Sequence, residues 1–289
     1  MDFRARWLFH AFLALIVPFA AFAEKPDKKK KDPSAPAKGG EEAIDMEDIR
    51  DELGVNQFTA PSIEQVLAEL MDLRPIQIEK VWSDLPAGTP QNRARLALAS
   101  GRVIADGLLA VIAEKPSRVE PCARALLRYA KGLGVSDHVT KHSKSIIEKA
   151  LKENWSDVRR ELVKAQADVE GGMLALKDEE IAHLVSLGGW LRGMEIVSTL
   201  VAEDYSPERT KRLIQPEALD YFIDRVGTLN PNLKSKELFR KIDETLKAVR
   251  AVVVKQDNAP LTLDEVKKIR DLTKATNGEI ADMSAKQDD

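Results

Sequence analysis

The sequence predicts an all-α protein, a multi-helix bundle organised around two glycine-bearing apolar helices near residues 90–114 and 178–203. Three observations lead there. Apolar residues recur at spacings of three and four over most of the chain after Glu41, and no stretch alternates with period two for long enough to argue a strand. Helix-start signals follow one another along the chain, from Ser62 with Gln65 to Thr262 with Glu265. Charged residues make up 31% of the chain and aromatics only 5%, a composition suited to helices with Leu, Ala, Val and Ile on their buried faces.

Taken in order, the first element is a targeting segment. Arg4 and Arg6 precede an apolar run from Trp7 to Phe22, and Ala21-Phe22-Ala23 places small residues where a signal peptidase reads. The pattern predicts a signal peptide over residues 1–23, cleaved before Glu24. The competing reading is an uncleaved anchor, for which the run is short against roughly 30 Å of hydrocarbon. Residues 24–42 are rich in Lys, Pro, Ala and Gly and contain the block Lys28–Lys31. Such a stretch buries no apolar area, so a disordered tether is expected, with attraction of the lysines to an anionic surface as the alternative. Cys122 is the single cysteine, so no internal disulfide can form; export without disulfides leans towards a bacterial periplasm or exterior.

Helices are then expected near 43–53, 61–73, 75–84, 90–114, 117–132, 136–153, 156–176, 178–203, 207–214, 216–228, 231–254 and 262–276. Thr89-Pro90 reads as a cap followed by proline at the first helical position, and Ser117 with Glu120 as a capping box. Ser136, Ser156, Ser206-Pro207 and Asn230-Pro231 mark further starts. Residues 156–203 form either one kinked helix or two, with Gly171-Gly172 and Asp178 as the candidate breaks. This organisation gives one helical domain over 43–256, with a C-terminal helix and polar tail over 257–289.

The two central stretches share a character. Residues 178–203 contain IAHLVSLGGWLRGMEIVSTLVAE, apolar around most of the helical wheel yet carrying Arg192 and Glu195. A charge at the centre of a bilayer costs roughly 2.5–3.5 kcal/mol, so enclosure by other helices is the expectation. Gly188, Gly189 and Gly193 lie here, and Gly101 and Gly107 in the other stretch. A glycine costs about 0.5–1 kcal/mol relative to alanine inside a helix, which close approach of a neighbouring helix can offset. A shift of 86 residues superposes Leu98 on Leu184 and Gly107 on Gly193. That match fits either an old duplication or the chance likeness of two Ala- and Leu-rich helices. Asp106 and Arg192 have local partners in Arg102 and Glu195; they also permit a buried pair between the two helices. Trp190 fits core packing or the wall of a small apolar pocket.

Candidate chemistry is sparse. His138 and His142 are four apart on a helix, the spacing of a helical metal site, though a third ligand is missing and Lys141 and Lys144 oppose a cation. The bland reading places both at the polar edge of the helix. Cys122 shares a face with Val119 and Tyr129 and reads as a small buried residue. His183 reads as a hydrogen-bonded core histidine. There is no haem motif, phosphate-cradling glycine loop, nucleophile elbow or calcium loop. The net charge of −3 argues against a nucleic-acid partner. The expected function is therefore an exported, non-enzymatic binding or scaffold protein of the bacterial envelope, meeting another envelope protein or a cell-surface polymer. The alternative is a helical bundle that holds a metal ion or a small apolar ligand; no cofactor can be named.

Overall fold

A computed structural model of the chain describes residues 70–254 and 259–282. The expected signal segment, tether, helix near 43–53 and most of the helix near 61–73 lie outside these residues. Within them are ten α-helices and no strand: α1 Ile78–Val81, α2 Arg93–Ile112, α3 Pro116–Leu133, α4 Ser136–Leu151, α5 Trp155–Ala175, α6 Glu179–Glu203, α7 Pro216–Thr228, α8 Pro231–Lys234, α9 Glu237–Val253 and α10 Leu263–Ala281. A short 3₁₀ turn at Arg209–Leu213 links α6 to α7. The all-α bundle with two central apolar helices is what forms.

Helices α2 and α6 make the most extensive contact in the molecule. They run in the same direction, so Leu98 meets Gly188 and Asp106 meets Arg192. The approach depends on two glycines. A Cβ on Gly101 would lie 1.9 Å from the Val185 carbonyl oxygen, and one on Gly188 would lie 2.1 Å from that of Leu98. Both obstacles are backbone, so no side-chain rotation relieves them. Gly189 lies at ordinary contact distance from Gly101, while Gly107 faces Cys122 of α3 and Gly193 has open space beside it. The helix-to-helix approach therefore uses Gly101 and Gly188, and Gly107 and Gly193 take no part in it.

The other helices are laid against this pair. Helix α3 returns along α2 and α5 along α4, each as an antiparallel hairpin, with Gly134 in the left-handed conformation turning α3 into α4. Helix α10 runs antiparallel along α6, so Val266, Ile269 and Ile280 join the same core as Leu187, Leu191 and Phe222. A smaller apolar cluster seats Ile78 and Val81 against Leu109 and Ile196, and another seats Trp155 and Val158 against Val111 and Ile146. Among the described residues, α6 is the one helix long and apolar enough to cross a bilayer; 67% of its most apolar window is buried inside the bundle.

Several expected boundaries are corrected. The helix expected at 75–84 is only Ile78–Val81, because Trp82 turns extended and leaves the Val81 carbonyl to accept from Arg192. Helix α2 begins after Asn92, whose side chain accepts from Arg95 N, rather than at Thr89-Pro90. Helix α3 takes Pro116 as its first residue, inside which the expected Ser117 cap falls. Residues 156–203 form two helices; Lys177, with φ of 54°, breaks the chain there, and Gly171-Gly172 stays helical. The expected 231–254 helix breaks where Lys236 becomes extended. The capping box of Thr262 with Glu265 is present, and α10 continues five residues beyond 276, where Asn277 and Ile280 gain buried contacts.

Candidate functional site

Three clusters bring chemistry-bearing side chains together. The first lies inside the α2–α6–α10 core. Arg192, 1% exposed, donates from Nε to Asp106 Oδ1 at 2.8 Å, and its guanidinium also reaches the Val81 carbonyl and Glu195 at 2.8 Å. Asn277 of α10 donates to Glu195 Oε2 at 2.9 Å and to the Leu191 carbonyl at 3.0 Å. Arg102, one turn before Asp106, donates instead to Ser83 Oγ. The expected local pairing is therefore half right in geometry: Arg192 holds both Glu195 and Asp106, while Arg102 makes no hydrogen bond to Asp106. Asp106 Oδ2, Asn277 Oδ1 and two of the Arg102 nitrogens are buried without a partner among the described residues.

The electrostatics follow from the burial. Desolvation pushes the Asp106 carboxyl up, against the opposing guanidiniums of Arg192 and Arg102. Burial also works against the Arg192 charge, but the Asp106 and Glu195 carboxylates outweigh it and hold its pKa above the ordinary value. Cys122 is buried nearby; desolvation first, then the Asp106 charge, push its thiol up to about 12. A thiol held protonated in this way is a packing residue rather than a nucleophile.

The second cluster fastens α4 to α5 and corrects the expectation for the histidine pair. His142 is buried rather than at the helix edge, and its two ring nitrogens face different carboxylates: Nδ1 lies 2.8 Å from Glu161 Oε1, and Nε2 lies 2.9 Å from Asp168 Oδ2. Which nitrogen donates depends on the tautomer. Glu161 also accepts from Lys149 at 2.5 Å, and Asp168 from Lys141 at 2.8 Å. Hydrogen bonds from Lys149 and then His142 hold the Glu161 carboxyl down at about 2; Lys141 and then His142 lower Asp168. His138 is exposed, with its ring against Gly172. No group of three His, Cys, Asp or Glu among the described residues is placed to hold a metal ion. Glu161 and Asp168 escaped sequence reasoning. Their spacing of seven, which puts both on one face of α5, was the available signal.

The third cluster is a half-open cleft of about 180 Å³ between the first turns of α6 and the end of α7. Leu184, Leu187, Phe222 and Val226 form its apolar floor, and His183, Arg225, Glu179 and Glu180 supply its polar groups. His183 Nδ1 hydrogen-bonds the Tyr221 hydroxyl, and Arg225 stacks over the Tyr221 ring at 5.3 Å. Burial, with the Arg225 charge adding to it, brings the His183 pKa down to about 4, so the imidazole is neutral at ordinary pH. Trp190 is not in the wall. It packs on Phe222 and donates from Nε1 to Gln215 at 2.9 Å.

The fold and these clusters define a class: a helical bundle whose ionic groups tie its own helices together, with a small amphiphilic cleft beside His183. No family model, curated protein or solved structure matches this chain.

Proposed function

We propose that this chain is an exported, non-catalytic helical module of the bacterial envelope that works by binding. One observation carries the reading: the side chains best suited to chemistry are engaged with one another. Arg192 binds Asp106 across helices and Glu195 within its own helix, and both nitrogens of His142 face carboxylates. A catalytic constellation needs such groups turned towards a substrate. The expected partner is another envelope protein or a cell-surface polymer, and the basic block at Lys28–Lys31 suits an anionic one.

Two measurements test this. Residues 1–42 fused to a reporter that is active only outside the cytoplasm should give activity, and the mature full-length protein should begin at Glu24. Retention inside the cell would overturn the export reading. Metal analysis and native mass spectrometry of the purified protein should show no stoichiometric metal. A bound ion lost on changing both His138 and His142 to alanine would move the function to the metal-binding alternative.

A further inference from the structure

We infer that the cleft at the start of α6 is a binding site for a small zwitterion with an apolar side chain, the chemistry of an apolar α-amino acid. The inference rests on reading the chain as a binding module and names the ligand class that this cleft takes. Each part of such a ligand has a counterpart. The floor of Leu184, Leu187, Phe222 and Val226 is a buried apolar surface that suits a branched or aromatic side chain. Glu179 and Glu180 at the rim supply carboxylates for an ammonium group.

The carboxylate end is served by Arg225. Arg225 carries a buried Nε with no hydrogen-bond partner among the described residues, although the guanidinium lies over the Tyr221 ring. His183, 8% exposed, lines the same cleft. Tyr221 holds its Nδ1, while Nε2 has no partner among the described residues and is a neutral hydrogen-bonding atom in the wall. A ligand with only one charge leaves either the acidic or the basic group of the cleft unanswered, and that asymmetry selects the zwitterion.

Titration calorimetry on the full chain tests this with L-leucine, L-phenylalanine, isocaproate (leucine without its amine) and isoamylamine (leucine without its carboxylate). At least one amino acid should bind, and isocaproate and isoamylamine should each be weaker by about tenfold or more. Arg225→Gln, on the rim, should weaken the amino acid by about tenfold. Lys247→Gln, on α9 away from the cleft, should leave binding unchanged. Equal binding of either leucine analogue would overturn the zwitterion assignment, and so would undiminished binding by Arg225→Gln. Absence of heat with all four compounds would overturn the site itself. The reporter fusion and the metal analysis would stand in either case, so failure here is distinguishable from failure of the binding-module reading.

Discussion

The two ionic clusters solve different problems with similar residues. In the α2–α6–α10 core, the partners lie 86 and 82 residues apart in sequence and the central guanidinium is fully enclosed. Between α4 and α5, the partners lie 19 and 26 residues apart and the outer members reach solvent. The core cluster leaves several buried valences unmet, while His142, Lys149 and Lys141 each meet a carboxylate in the α4–α5 clasp. A buried ion pair loses much of its Coulomb gain to desolvation, so the core cluster is a weak source of stability. Its geometry suits setting register, because only one alignment of α2, α6 and α10 pairs Arg192 with Asp106 while Asn277 reaches Glu195. The clasp joins neighbours in sequence that a short turn already holds close, so its bonds add stability to a hairpin whose register is set locally.

The comparison breaks most visibly at Arg192. Arg192→Met strands the buried Asp106 carboxylate and takes one partner from Glu195, and should cost about 3–5 kcal/mol in urea unfolding. Adding Asp106→Leu should recover part of that loss, and a double change worse than the single one would refute the account of the core cluster. Next is acid. Glu161 is held down at about 2 in the folded protein against an ordinary value of 4.5, so it binds fewer protons folded than unfolded. Its contribution is present above pH ~4.5 and is lost as pH falls towards ~2. Asp106 has the opposite sign, since its raised pKa makes the folded state bind the proton more readily. Hydrogen exchange on acidification should therefore open α4–α5 before α2–α6. Earlier opening of α2–α6 would contradict this ordering.

Smaller effects sharpen the contrast. Gly188→Ala drives a methyl into the Leu98 carbonyl, and the forced separation of α2 from α6 should cost up to about 3 kcal/mol. It should also lower the Arg192–Asp106 coupling in a double-mutant cycle, a change the clasp would not share. His142→Gln keeps the volume and loses one bond to a carboxylate, for about 2 kcal/mol. Because the clasp is local, thermal unfolding of this variant should remain a single transition.

Much of this was legible one residue at a time. Gly101 and Gly188 signalled close approach because glycine in a helix is unfavourable without compensation. Asp106 and Arg192 signalled a polar contact because charges on the most apolar helices need partners. His142 was misread because its partners belong to the next helix, where Glu161 and Asp168 look like an ordinary solvated face. Asn277 was missed altogether. It lies beyond the expected end of α10 at 276, and its value comes from a carbonyl and a carboxylate on α6.

The sequence by itself determined the helices and the identity of the central pair, because periodicity, caps and glycine content act within a few turns of chain. The tertiary structure alone decided which carboxylate each cation meets, which glycines touch, and that a cleft opens beside His183. Those outcomes depend on distances between segments tens of residues apart, which only the packed arrangement of the helices sets.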